Sequence, residues 1–554
     1  MKLRHFTPLC ALLSLCTVAA AQQQPIEVKI DVDVSNTEGA LEPVWRFWGA
    51  DEPNYATMKH GKKLLGELGE MTPDQVFFRA HNLMTTGDGT PRLKWGSTNM
   101  YTEDAGGNPV YDWNIVDGIF DAYLENGVRP YVQMGFMPEA MTTHDGPYEH
   151  QWGVGDEYGD IYTGWAYPPK DYEKWEELCF QWAKHCAERY GMDEVETWWW
   201  QTWNEPNIGY WQGTPEEYMK LHHHAVNGVL RAIPKARIGG ADTAGFGGDY
   251  TRKFIEYSLE NDLPLDFVSF HAKGRPERID CGHCEGGHVR MGMQHQLRDI
   301  DRGFELVASY PETKDKPIVI GESDPEGCAA CQGPELAYRN GLMYASYTAA
   351  SFKRKHDLAA KYDVNFTGAL TWAFEFEDEP MFAGFRAMAT GGIDKPVLNV
   401  FRMMSQMTGN RVELTSDHEI ALDKLLADGV REQPDITGIA SAGDGKVTVM
   451  LWHYHDDDIE GLDANITLNL SGLTLKPGGL TVTHYRVDRD HSNAYTLWQE
   501  MGSPEKLSDE QYEQLDARDG LEELGAPFVI DQDNDVATLQ VTLPRQAVSL
   551  LVIE

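Results

Sequence analysis

The chain has 554 residues, 42% hydrophobic and 24% charged, with 47 Lys+Arg against 87 Asp+Glu and a net charge of −40. This composition excludes a mainly disordered chain, and a mean hydropathy of −0.46 excludes a polytopic membrane protein. The acidity argues against nucleic acid as a partner, because phosphate binding needs a basic face.

Lys2 and Arg4 precede a small, apolar run from Ala11 to Ala21, and Ala19-Ala20-Ala21 fits a cleavage site before Gln22. Residues 1–21 are therefore expected to be a signal peptide, and the protein to be exported to the periplasm or the medium. Loss of Lys2 and Arg4 leaves 45 basic against 87 acidic residues, a net of −42. In residues 22–43, Ile26 to Val34 read IEVKIDVDV, the alternation of a strand with one wet face. It lacks a βα context and is expected to join a sheet formed elsewhere in the chain.

Eight strand candidates follow, beginning near Val44, Gln75, Arg129, Val195, Ala236, Asp266, Pro317 and Thr367. Helical patterns separate them, among them Asp171 to Tyr190, Met291 to Ser309 and Leu336 to Tyr362. Thr214-Pro215-Glu216-Glu217 has the N-cap, early proline and acidic third position that start a helix. Eight such units over residues 44–410 predict a (β/α)8 TIM barrel of the α/β class. No glycine-rich phosphate loop follows any of these strands, which argues against dinucleotide and nucleoside triphosphate chemistry, and no cofactor is expected. Over residues 411–554, short β runs separated by turn residues predict a C-terminal β-sandwich, interrupted by one helical insert from Ser508 to Leu524. The early strand is assigned to that sandwich.

Eight cysteines become six if Cys10 and Cys16 leave with the signal peptide. Cys179 and Cys186 lie on one predicted helix, where seven residues rise ~10.5 Å, beyond the ~7 Å reach of a disulfide. Both are expected to be buried free thiols. Cys281, Cys284, Cys328 and Cys331 make a CxxC…CxxC pattern. Disulfides are the first expectation in an exported chain, with a structural zinc site or free thiols as the alternatives. His222-His223-His224 is read as a solvated helix surface. Trp452 to Asp458 is read as a strand end running into a wet loop.

In a (β/α)8 barrel, chemistry sits where the strands end. The fourth strand ends Trp203-Asn204-Glu205-Pro206 and the seventh ends Ile320-Gly321-Glu322. The fold would bring these two carboxylates together at one mouth. Paired carboxylates flanking a sugar are the apparatus of glycoside hydrolysis, one protonated to donate and one ionised to attack. A donor of this kind is expected to titrate high in the free enzyme, at ~6–7. Arg79 and His81 share a strand phase at the end of the second strand, as do His271 and Lys273 at the end of the sixth. Trp372 ends the eighth strand and offers an aromatic face for a sugar ring.

These residues carry a resemblance. Trp203-Asn204-Glu205-Pro206 with Glu322 resembles the clan A retaining glycosidases. Together with Arg79-Ala80-His81, Gly321-Glu322-Ser323-Asp324-Pro325 and Trp372, the chain from about Val44 onward resembles glycoside hydrolase family 39. That family holds β-xylosidases and α-L-iduronidases. The resemblance implies Glu205 as acid/base and Glu322 as nucleophile, Asn204 on the sugar 2-hydroxyl and Trp372 as the floor of the −1 subsite. His81, His271 and Lys273 would line the substrate site. Many clan A enzymes carry Tyr shortly after the sixth-strand His, whereas this chain has His271-Ala272-Lys273-Gly274. That stretch resembles the iduronidase branch, where a lysine meets the uronate carboxylate, and also bacterial relatives taken to be β-xylosidases. The expected function is a retaining β-xylosidase acting on a small oligosaccharide, with exo action suggested by long loops. An α-L-iduronidase or another exo-glycosidase is the alternative, and a non-catalytic carbohydrate-binding protein the remote one.

Overall fold

The computed structural model of the protein describes residues 24–72, 74–153, 156–280, 287–376, 378–474 and 478–554. The candidate signal peptide and the pair Cys281 and Cys284 lie outside the described residues.

Eight parallel strands close into a barrel: Phe47–Ala50, Val76–Ala80, Val128–Met134, Trp199–Thr202, Arg237–Thr243, Phe267–Lys273, Ile318–Asp324 and Phe366–Trp372. The eighth pairs with the first, Trp372 opposite Gly49, so the barrel has no open edge. The strands are short and buried on both faces, which is why they read as continuous apolar runs rather than alternating ones. Phe47, Phe77, Tyr131, Trp199 and Phe267, from five strands, meet ring against ring inside the barrel; Trp199 and Phe267 lie 4.8 Å apart. This aromatic plug is the solid floor under the mouth.

The fourth strand begins at Trp199, later than expected, because Met192–Val195 turns into a short helix first. Glu194 in that helix receives Arg129 at 2.7 Å, tying the turn to the third strand. The helix Pro215–Ala232 starts as its sequence predicts, with a reciprocal Thr214–Glu217 capping box. It does not present its three histidines to water. Consecutive residues point ~100° apart around a helix, and His222 points inward, fully buried, with Nδ1 3.0 Å from Thr202 Oγ1. His223 and His224 are half-buried against Tyr257 and Glu176.

The second domain is a β-sandwich built from one ten-stranded sheet. Its N-terminal strand, Ile26–Ala40, pairs antiparallel with Asn410–Ser416 and parallel with Ala464–Ser471. Both ends of the sheet close on one core that takes Val28, Ile30 and Val32 from the N-terminal strand and Val449, Leu468, Val482 and Leu551 from the others. Trp452 to Asp457, expected to run into solvent, are instead buried between sandwich and barrel. The helix Leu342–Tyr362 lies against them. Arg354 donates to Asp435 at 2.9 Å, Trp452 donates to the same carboxylate, and Tyr347 packs on Tyr454. An acidic, histidine-rich run looks wet in sequence, but here each of these side chains has a partner: His453 Nδ1 the Leu543 carbonyl within the sandwich, His455 the Arg431 carbonyl and Asp457 the Arg290 guanidinium.

Cys179 and Cys186 are buried free thiols on Tyr172–Tyr190. Cys328 and Cys331 are joined as a disulfide in the loop after the seventh strand. Among the described residues, no helix is long and apolar enough to cross a membrane.

Candidate active site

Nearly every barrel strand delivers a polar side chain or an aromatic ring to one mouth. Asp51 follows the first strand, and Arg79 and His81 close the second. Gln133 comes from the third and Asp242 from the fifth. His271 and Lys273 end the sixth, Glu322 and Asp324 the seventh, and Trp372 the eighth. The i, i+2 pairs are what a pleated strand allows at its last exposed turn. Asn204 and Glu205 lie just beyond the fourth strand, where Trp203 (φ 69°) and Glu205 (φ 43°) are left-handed. Such conformations cost about 1–3 kcal/mol each and persist only when the surroundings hold them. Here Trp203 N donates to the Met134 carbonyl and Glu205 N to the Asp242 carbonyl, at 3.0 and 2.9 Å. Gln201 Nε2 donates to the Trp203 carbonyl at 3.0 Å.

The two glutamates come together, both buried. A carboxylate oxygen of each and a ring nitrogen of His271 lie within 4.8 Å of one another. Three such groups could hold a cation, but an ammonium already stands there. Lys273 Nζ is 2.5 Å from Glu322 Oε2 and 3.5 Å from Glu205 Oε1. His271 Nδ1 bonds Glu205 Oε1 at 2.8 Å, and its Nε2 is 3.3 Å from Asp242 Oδ2. Arg79, fully buried, contacts Asp242, donates to Asn204 Oδ1 at 2.6 Å and lies 3.6 Å from Glu322 Oε1. His81 is held by Gln133 at 2.8 Å, 3.9 Å from Glu322.

The charges follow from this layout. Burial pushes the Glu322 carboxyl up, but Lys273, His271 and Arg79 outweigh it and hold the group well below the usual carboxylate range. Burial likewise raises Glu205, and Lys273 with the His271 hydrogen bond more than reverses it. The high titration expected for Glu205 is therefore not what this environment gives in the free protein, because two cationic groups stand beside it. The proton sits next door. His271, despite burial, is pushed up to about 9 by Glu322, Asp242 and Glu205, so it is an imidazolium at neutral pH. Burial drives His81 the other way, to about 4, and it is neutral.

Trp372 donates from Nε1 to Asp51 Oδ2 at 3.1 Å, and its backbone N–H donates to Asp324 Oδ1 at 3.0 Å. Gly49 makes this ring position possible, since a β-carbon there would run into the Trp372 ring. Gly321, just before Glu322, would drive a β-carbon into Asp242. Together the groups wall a cavity of about 300 Å³ lined by both glutamates, His81, Lys273, Trp372, Asp51 and Arg386, with Tyr162 and Tyr210 also in its wall. It has room for one sugar ring with water.

All the residues singled out from sequence thus converge here: Asn204, Glu205, Glu322, His81, His271, Lys273 and Trp372. Asp242, Asp51, Gln133 and Arg386 were missed. Asp51 and Asp242 had a signal, an acid closing a barrel strand. Gln133 is inside its strand, and Arg386 lies beyond the eighth strand in a loop whose return to the mouth has no local signature.

The family model described as "Glycosyl hydrolases family 39" matches residues 28–535. A β-xylosidase of Caldicellulosiruptor saccharolyticus is 25% identical over 457 residues, covering 79% of this chain and 82% of its own. The α-L-iduronidase of Homo sapiens is 22% identical over 571 residues, 93% of this chain and 78% of its own. The crystal structure of a monomeric β-xylosidase from Caulobacter crescentus CB15 superposes with a TM-score of 0.74 at 20% identity, covering 95% of this chain and 99% of that one. With a match this long over a barrel of this construction, the chain belongs to glycosyl hydrolase family 39 and is a glycoside hydrolase.

Proposed function

We propose that the protein is a retaining exo-glycosidase that releases xylose from β-xylosides by double displacement. The observation that carries this reading is the approach of Glu205 and Glu322, with carboxylate oxygens within 4.8 Å. Retention needs carboxyl groups ~5–5.5 Å apart, whereas inversion needs ~6.5–9.5 Å to admit a water. Glu322, ionised by its three cationic neighbours, attacks the anomeric carbon. Glu205 protonates the departing oxygen and later activates water. Because Glu205 is itself ionised in the free enzyme, its proton comes from His271 across the 2.8 Å bond. Asn204 and Trp372 hold the sugar, and Arg79 and Asp242 hold Asn204 and His271 in place. The small cavity supports exo action, and β-xylosidase relatives support the pentose.

A pH dependence follows. The kcat/KM profile reports groups of the free enzyme. Glu322 is ionised far into the acid range, so the acid limb should lie low. The alkaline limb should fall as pH rises through about 9, where His271 loses the proton it supplies. An alkaline limb at ~6–7 would instead indicate a self-sufficient Glu205 acid and would contradict the proton route through His271.

One observation favours a second reading. Lys273 and Arg386 both line the cavity, and two cations could meet the carboxylate of a uronic acid. Each has an anionic neighbour: Lys273 has Glu322, and Arg386 Nη2 is 3.5 Å from Asp324. Lys273→Met separates the two readings. For a xyloside we expect turnover to persist while the acid limb moves to higher pH, since both glutamates lose the charge that lowers them. For a uronide, loss of a desolvated ion-pair partner would cost about 2–5 kcal/mol, some thirtyfold or more. Efficient wild-type cleavage of an α-L-iduronide, lost in this variant, would replace the pentose reading.

A further inference from the structure

A second cavity, of about 560 Å³, opens beside the first. Both are lined by Glu205, Lys273 and Gly327, but the second reaches neither Glu322 nor Trp372. If Glu205 is the proton donor, as proposed above, a cavity touching the donor and not the nucleophile lies on the side of the departing group.

Its walls are cationic. Arg275 stands two residues beyond Lys273, while Arg298 and Arg302 stand one turn apart on the helix Met293–Ala308. Arg298 is spent on structure, donating from Nε to the Leu426 carbonyl at 2.6 Å and from Nη2 to the Ala427 carbonyl. Arg275 and Arg302 are exposed, and among the described residues neither has a carboxylate within 4.0 Å. Arg302 lies over the Phe246 ring at 5.7 Å, which orients its plane. The acids of this cavity besides Glu205 are Asp299 and Glu326. Arg339 already takes Glu326 at 2.6 Å. Asp299 is half-buried, and burial pushes it up to about 6 although Arg302 and Arg275 pull it down.

Two guanidiniums without a carboxylate partner among the described residues, facing one concavity, stand out in a chain whose net charge is −40. The surface of such a chain repels anions, so a local cationic pocket is where an anion would be drawn and held. Guanidinium recognises carboxylate and sulfate oxyanions alike through paired N–H donors.

We propose that this cavity is a leaving-group subsite that accepts an anionic substituent, a carboxylate or a sulfate ester, held by Arg275 and Arg302. The enzyme then prefers glycosides whose departing sugar or aglycone is acidic, whatever the sugar in the first cavity. The test compares the wild type with the double variant Arg275→Ala, Arg302→Ala on phenyl, 3-carboxyphenyl and 3-sulfatophenyl glycosides. Each is offered both as the β-D-xyloside and as the α-L-iduronide. The quantity read is the wild-type to variant ratio of kcat/KM for each aglycone, which cancels leaving-group acidity. The ratio should be roughly five- to thirtyfold larger for an anionic aglycone than for phenyl, the gain of a charge-assisted hydrogen bond. It should shrink in high salt. The anion with the larger ratio identifies the source as uronic or sulfated. Equal ratios for all three aglycones would overturn the subsite and leave the glycosidase reading intact. An inactive xyloside set with an active iduronide set would correct only the sugar. Inactivity on both sets would overturn the proposed function and this inference with it.

Discussion

Glu322→Ala is expected to lower kcat by on the order of 10⁴-fold or more on every glycoside tried, with good and poor leaving groups alike. In the proposed reading this carboxylate bonds to the sugar, and among the described residues no neighbour can take its place. Glu205 is turned toward His271, and Asp324 is committed to the Trp372 backbone and Arg386. The loss should be one of chemistry and not of folding. Lys273, left without its 2.5 Å partner, still has Glu205 at 3.5 Å. Unchanged circular dichroism beside a collapsed kcat is the expected pair of results. A variant that keeps more than about one hundredth of wild-type kcat would remove Glu322 from the nucleophile's role.

Glu205→Ala should respond to the leaving group, as Glu322→Ala should not. General acid catalysis contributes about 10²–10⁴-fold, and only where the departing oxygen needs a proton. For an alkyl glycoside or an oligosaccharide the full loss is expected. For a dinitrophenyl glycoside the first step should survive and the glycosyl-enzyme should accumulate, because water then lacks its base. Azide, which needs no base, should restore turnover and leave as a glycosyl azide of retained configuration. His271 complicates the variant in a readable way. Without Glu205 it keeps Asp242 at 3.3 Å and Glu322 at 3.7 Å, so it remains charged, but its proton is no longer aimed at the substrate. If both glutamate variants respond identically across leaving groups, the assignment of roles is wrong.

Much of this site is legible in the amino-acid sequence, and particular residues explain why. Glu205 and Glu322 can be placed because they close strands four and seven of a regular alternation, and a parallel barrel brings all its strand ends to one face. Arg79 with His81 and His271 with Lys273 follow from strand phase alone. How these groups pair is not legible. The depressed titration of Glu205 depends on Lys273 and His271, 68 and 66 residues away along the chain, standing within a few ångströms of it. Asp242, which braces both Arg79 and His271, closes the strand Arg237–Thr243, and its importance lies in contacts across the barrel that no local pattern encodes. The same reason explains the misreadings. His222 and the run from Trp452 to Asp457 look hydrophilic in sequence. Burial is decided by what packs against them, a neighbouring barrel strand in one case and the whole barrel in the other. Polar groups tolerate that burial when each finds a partner.

In the proposed mechanism two carboxylates this close act by displacement at Glu322 and retain the configuration of the sugar. Proton NMR of the first product formed from an active aryl glycoside tests it most directly, read before mutarotation mixes the anomers. For a β-D-xyloside, β-xylose is expected as the initial signal, with the α-anomer growing only at the spontaneous rate. Initial appearance of α-xylose would show a single displacement by water and contradict the glycosyl-enzyme on Glu322.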